Sequence, residues 1–236
     1  MCYRFHLKAP DLKKAAEHLR ARLAGQGETR HNIAPTAWIA ALRKGLNGRE
    51  AVQMKWGLVP AWSKAAEGGT LLANARSETA ALKPSFRDAL AKRHCIIPAS
   101  GFFEWEETPG GKQPWLFFRR DGEPLLFAGL WEHWVQDGQG PLESCAILTT
   151  GPNGVLARLH DRMPVILEPA AAETWLDGGA EDAGRLLLPC PDAVLDCYRV
   201  DPWMNSVHHS GERCVLPWNG VMEKKAEDGE QLGLGL

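Results

Sequence analysis

Along the first thirty residues the spacing of apolar positions changes character. From position 2 to 7 apolar and polar side chains alternate enough for a half-buried strand, whereas over 11–24 Leu12, Ala15, Ala16, Leu19 and Leu23 fall on one face of a helix. Strand-like runs follow at 36–42, 52–59, 94–97, 102–105, 115–119, 125–131, 144–149, 164–168 and 194–200, most of them bounded by Gly or Pro. After the first helix, helical spacing is confined to three short pieces, 85–92, 153–159 and 170–176, the last behind the start signal of Pro169. Many short strands with few, short helices predict an α+β fold: a single domain on a curved, mainly antiparallel β-sheet or barrel. There is no internal repeat. The pattern stops near Asn219, so a domain over 1–218 and a disordered tail over 219–236, rich in Lys, Glu, Asp and Gly, are expected.

Composition narrows the class. A chain of 236 residues is near the upper end of what one core supports, and 44% apolar content is ordinary for a globular protein. No apolar run approaches the roughly 18 residues of a membrane helix, and no apolar stretch follows a basic start, so a cytoplasmic, membrane-free monomer is the expectation. The six cysteines, at 2, 95, 145, 190, 197 and 214, include no CxxC pair, which predicts reduced, mostly buried thiols and no metal or other cofactor. His208 and His209 lie near Cys214, but adjacent side chains on a strand diverge and no further ligand completes a set. Net charge is −2, yet residues 1–120 hold 20 Lys+Arg against 10 Asp+Glu and the remainder 7 against 19. This division suits a basic face that meets nucleic acid; equally, the two halves can intermix on the folded surface.

Position 2 is where chemistry is to be sought. A small residue there lets methionine aminopeptidase expose a free α-amine beside the Cys2 thiol. Amine and thiol, with ordinary pKa values of about 8 and about 8.5, then share one residue. An aldehyde meeting the pair forms an imine and closes onto sulfur as a thiazolidine.

The remaining motifs carry a family resemblance. MCYRF at the start, RHNIAPT at 30–36, WGLVPAW at 56–62, NARSET at 74–79, CIIPASGFFEW at 95–105, LHDRMPVIL at 159–167 and DPWMNSVHHSGERCVLP at 201–217 occur in the order of the SRAP family, the SOS response-associated peptidases, which the chain resembles from residue 2 to about 217. The resemblance implies Cys2 as covalent nucleophile, Asn74 as the group orienting its amine, Glu104 as acid/base and His160 as a second acid/base. It implies DNA contacts from Arg4, Arg76 and Arg162, whose planar forks suit phosphates, and from Trp62 and Trp105, which suit base stacking. The implied partner is single-stranded DNA containing abasic sites, and the implied activity is covalent capture of the lesion in the DNA damage response.

Glu104 has its own rationale, because aromatic neighbours desolvate and so raise a carboxyl pKa; a plain outward-facing carboxylate is the other reading of a strand that continues Glu106, Glu107. Two further functions stay open: an N-terminal-nucleophile thiol peptidase or amidohydrolase with Cys2 as acylated residue, and a non-covalent reader of modified or single-stranded DNA. At the end of the tail Gln231, Leu232, Leu234 and Leu236 resemble peptides that dock on a bacterial sliding clamp, a partner placed alongside a chance Gly-Leu ending.

Overall fold

The structure is a computed structural model that describes residues 2–66, 70–136, 139–178 and 184–220. In chain order its elements are β1 (Phe5–Leu7), α1 (Ala9–His18), β2 (Arg30–Ile33), β3 (Trp38–Gly45), β4 (Gly48–Trp56), β5 (Asn74–Arg76), α2 (Ser77–Ala80), α3 (Arg87–Lys92), β6 (His94–Ala99), β7 (Gly101–Thr108), β8 (Gly111–Arg119), β9 (Leu125–Gln136), β10 (Gln139–Thr150), β11 (Met163–Pro164), α4 (Pro169–Asp177) and β12 (Leu195–Arg199). They form an α+β domain of mainly antiparallel strands.

Strand pairing explains the curvature. One sheet is open, in the order β12-β8-β7-β1-β2. In the other, β10, β4, β3, β6 and β9 are successively paired, and β9 pairs back to β10, so five strands close into a ring. The seam between β4 and β10 is parallel and short, Ser144 against Lys55 and Cys145 against Trp56. β5 and β11 attach to the far end of β10.

Alternation along the ring strands produces two cores. On β6, Cys95 and Ile97 join Phe127, Ile147 and Trp56 in a core shared with Phe5, Phe102 and Phe117 of the open sheet. Ile96, between them, joins Leu126, Ala128, Ala146 and Leu148 in a second core that includes Leu19, Phe86 and Trp175. Strands buried on both faces read as apolar runs, which is why their pattern is dense rather than alternating. A third, smaller cluster on the outer face of the open sheet packs Phe103 and Leu116 under Val200, Met204 and Cys214.

Several expected boundaries shift for identifiable reasons. α1 stops at His18 rather than at 24, because Arg20 turns left-handed (φ 49°) while Leu19 and Leu23 still pack inward. The runs expected at 36–42 and 52–59 become a hairpin over 38–56, turned at Gly48 (φ 105°) and ended at Gly57 (φ 132°). The 153–159 stretch is a series of turns and not a helix: the Asn153 side chain caps it by accepting from the Leu156 N–H (3.1 Å), but the helix-type bonds that follow, Ala157 N–H to Asn153 O (2.9 Å) and His160 N–H to Leu156 O (3.0 Å), are not consecutive. Of the strand expected at 164–168 only Met163–Pro164 is a strand; the rest fills the gap where β9 and β10 diverge, with Val165 N–H donating to Leu148 O and accepting from Ala128 N–H through its carbonyl (2.9 Å each). β2 and β5 were not expected. Among the described residues no helix is long and apolar enough to cross a membrane. Most of the expected tail, with its Gln231 to Leu236 ending, lies outside the described residues.

Candidate active site at the amino terminus

β1 and β7 bring the start of the chain against Glu104. Phe5 pairs with Phe102, and the Phe103 N–H donates to Arg4 O (3.0 Å), so the chain before β1 runs beside the inner face of β7. On that face Glu104 is 2% exposed. Burial pushes its carboxyl up from 4.5 to about 7, the range in which a group both takes and gives protons at neutral pH. Cys2 is fully buried; burial, and then the charge of Glu104, raise its thiol well above the ordinary range. The thiol contacts Arg4 O at 3.7 Å.

Asn74 approaches from the other sheet. β5 runs parallel to β10, Asn74 opposite Ile147, and its amide nitrogen donates to Cys2 O (2.9 Å). The Asn74 Oδ1 is buried and accepts no hydrogen bond from the described residues. An acceptor so placed, one residue's length from the Cys2 backbone, suits an N–H donor.

The turns over 153–159 deliver His160, whose N–H donates to Leu156 O (3.0 Å). Its Nε2 lies 3.9 Å from Glu104 Oε2, so the two groups face one another across the site. Its Nδ1 has two neighbours: the Arg162 N–H at 3.0 Å and Asp161 Oδ1 at 2.9 Å. Both cannot be hydrogen bonds at once, because Nδ1 must be bare to accept and protonated to donate. A bare Nδ1 accepts from the Arg162 N–H, and a protonated Nδ1 donates to the exposed Asp161 carboxylate. Burial chiefly, then the amino-terminal charge, outweigh the opposing Asp161 carboxylate and keep the His160 pKa below its ordinary value, so the neutral form prevails at pH 7.

The residues expected to meet DNA divide into two kinds. Arg76, at the end of β5, and Trp62, 66% exposed, are open to solvent. Arg4 is turned inward: it donates to Asn32 Oδ1 (2.7 Å), Asn205 O (3.1 Å) and Met204 O (3.4 Å) and lies over Trp105, whose Nε1 donates to Asn205 Oδ1 (2.7 Å). Arg162 donates both terminal nitrogens to the Glu78 carboxylate (2.7 and 2.8 Å) and one also to Thr149 O (2.6 Å). Cys2, Asn74, Glu104 and His160 thus converge, with Arg162 behind His160, whereas Arg4 and Trp105 lock the segment 201–209.

Three residues of this arrangement were not singled out from the sequence: Glu78, Thr149 and Asn32. Glu78 and Asn32 lie inside the NARSET and RHNIAPT motifs, so a signal existed, but their roles depend on partners 84 and 172 positions away. His209 is bonded to Trp203 O and stacked on the Trp203 ring (4.0 Å), and the described residues contain no group of three metal-ligating side chains.

The profile of the SOS response associated peptidase (SRAP) family matches residues 1–207. The abasic site processing protein YoqW of Bacillus subtilis is 36% identical over 195 residues, covering 81% of this chain and 87% of that protein. The abasic site processing protein HMCES of Gallus gallus is 30% identical over 72% of this chain, which spans 58% of it. Among solved structures, a Bordetella bronchiseptica protein superposes with a TM-score of 0.75 at 31% identity, over 85% of this chain and the whole of that one. A Bacteroides thetaiotaomicron protein shares the fold with a TM-score of 0.82 at 24% identity, over 92% of this chain and all of that one. A profile match over most of the chain, with two groups of relatives and a common fold, makes this chain a member of the SRAP family.

Proposed function

We propose that this protein processes abasic sites in single-stranded DNA by covalent capture on Cys2, after removal of Met1. The observation that carries the reading is the convergence on Cys2 of an amide from Asn74, a carboxyl raised to about 7 and a neutral imidazole, in a chain whose relatives are named abasic site processing proteins.

Each side chain has a step. The protonated form of His160 gives its Nε2 proton to the ring oxygen of the closed deoxyribose while the Glu104 carboxylate takes the hydroxyl proton at C1′, and the ring opens to the aldehyde, leaving a neutral imidazole and a carboxylic acid. The Cys2 amine, held by Asn74 Oδ1, adds to C1′. One amine proton passes to the new alkoxide, Glu104 returns its proton to the resulting hydroxyl, water leaves, and the iminium gives its remaining proton to the neutral His160, so that an imine remains and both groups are restored. The thiol adds across the C=N bond, its proton passing to nitrogen, and a thiazolidine closes. Aldehyde and aminothiol give ring and water, with no change of oxidation state. A thiol whose proton is held tightly suits this order, in which nitrogen attacks first and sulfur second. It suits less well a peptidase mechanism, which needs the thiolate as first nucleophile.

The test is to incubate the mature protein with a single-stranded abasic oligonucleotide and run a denaturing gel with mass spectrometry. The expected product is an adduct of the summed masses less one water. Cys2→Ser should give only a labile adduct that needs reduction to be trapped. A form that retains Met1 and crosslinks as well as the mature protein would overturn the mechanism.

A further inference from the structure

The ring of His160 stands between two acids. Its Nε2 lies 3.9 Å from Glu104 Oε2, inside the site, and its Nδ1 lies 2.9 Å from Asp161 Oδ1, at the surface. Glu104 is sheltered from water, whereas the Asp161 side chain is 85% exposed to it.

Ring opening sets a condition on this row. It needs a proton on His160 and none on Glu104, an imidazolium beside a carboxylate. Burial favours the reverse: it raises the Glu104 carboxyl to about 7 and, with the amino-terminal charge, lowers His160, so that when the pair holds one proton it rests chiefly on Glu104. A change of pH does not alter this division, because both arrangements hold the same number of protons. What alters it is a charge that sits nearer one group than the other. Asp161 is such a charge, since it is against Nδ1 while Glu104 lies beyond the other ring nitrogen.

We infer that Asp161 is a positioning residue for ring opening: its carboxylate, at Nδ1, draws the shared proton from Glu104 to His160 and so populates the imidazolium that can protonate the sugar. The inference rests on the proposed capture of abasic sites and adds the group that prepares its first step. An imidazolium carries protons on both nitrogens; the one on Nδ1 bonds Asp161, and the one on Nε2 is left for the ring oxygen. Once Nε2 has given its proton up, Nδ1–H stays with Asp161, and the bare Nε2 is the atom that later takes the iminium proton. The Asp161 charge favours the protonated form of both acid/base groups. At Glu104 it comes last, behind burial and the amino terminus, while at His160 it is the influence that opposes burial and the amino terminus. The other groups that face the ring are Glu104 from β7, the amino terminus ahead of β1, and Arg162 from the same loop, whose guanidinium is paired with Glu78.

The experiment uses the mature full-length protein and its Asp161→Asn and Asp161→Glu variants, with two single-stranded substrates at saturating concentration. One bears an ordinary abasic site, mostly ring-closed; the other bears an acyclic aldehyde at the same position and needs no opening. The protonation of His160 is followed through its ring ¹⁵N shifts against pH. Because Asp161 is exposed, its hold is that of a surface ion pair, which supports a change of about two- to five-fold in the imidazolium population. For Asp161→Asn, of equal size and without charge, the His160 midpoint should therefore fall by about 0.3–0.7 in pH, and the maximal rate of adduct formation on the ring-closed site by about two-fold or more. On the acyclic aldehyde the rate should be unchanged, since that reaction starts from the carboxylic acid and the neutral imidazole, the form the substitution favours. Asp161→Glu, which keeps the charge, should retain most of the rate and of the midpoint. An unchanged His160 midpoint in Asp161→Asn would overturn the inference. So would an unchanged rate on the ring-closed site, or an equal loss on both substrates. Absence of an adduct from the unsubstituted protein on either substrate would instead refute the capture reading itself.

Discussion

Glu104 combines a functional opportunity with a cost to stability, and the two can be separated by pH. Its folded carboxyl holds a proton up to about pH 7, whereas an unfolded chain releases it near the ordinary value of 4.5. Stability from this group is therefore fully present below pH 4.5 and is lost as pH rises to 7, by about 3 kcal/mol at most. Glu104→Gln, which cannot ionise, should remove that loss. Urea unfolding at pH 5 and pH 8 should show the difference between variant and parent growing by this order, while adduct formation falls by about a hundred-fold or more. A parent whose stability is flat over this window would mean that Glu104 titrates normally. This property was half legible in the sequence: aromatic neighbours in GFFEW indicate desolvation, but the alternation that turns Glu104 inward and Trp105 outward appears only once β7 is paired. The approach of His160 to Glu104 was not legible, because it joins positions 56 apart on different elements.

Elements reveal a second division, between arginines that hold the fold and arginines that face solvent. Asn32, in β2, donates its amide to three carbonyls of the closing segment, Met204 O, Ser206 O and His209 O, at 2.9–3.0 Å, and receives Arg4 on its oxygen. The two amide hydrogens are shared among the three acceptors, and alanine would leave all three carbonyls without this donor. Asn32→Ala should lower stability by about 1–3 kcal/mol, seen as a melting temperature several degrees lower. Arg4→Ala should behave likewise, and the salt dependence of its single-stranded DNA binding should match the parent's. Arg76→Ala, by contrast, should leave stability unchanged and reduce the salt slope by about 0.7, as expected for one lost phosphate contact. A slope change for Arg4 and none for Arg76 would reverse the assignment. Sequence patterns located nearly all the long strands here, since dense apolar runs of four or more residues mark strands buried on both faces. They missed β2 and β5, which are three or four residues long and mostly polar, and they promoted 153–159 to a helix because apolar spacing does not show whether helix-type bonds follow one another without a break. Arg4 was read as a DNA contact since its motif is shared, while its inward turn follows from partners some 200 positions later.

At the scale of the whole molecule, the candidate site lies where two sheets meet, and under the proposed capture reading a lesion would have to leave a base stack to reach Glu104 and His160. Single strands should therefore react faster than fully paired duplex with the same lesion, and equal rates would argue against a recessed site. The closed ring has a different consequence, one for the time course of folding. Two of its five pairings are between strands joined by short connections, β3 to β4 by a two-residue turn and β9 to β10 by another. The parallel seam of Trp56 with Cys145 instead joins positions 89 apart and involves only two residue pairs. Long-range, parallel pairing is slow, so this seam should be the last to form during refolding. Until it does, β4 and β10 both present unpaired edges, which neighbouring chains can occupy. Refolding from denaturant should accordingly show a slow phase and a yield that declines with protein concentration, whereas the ring, once closed, offers no edge for another chain to extend.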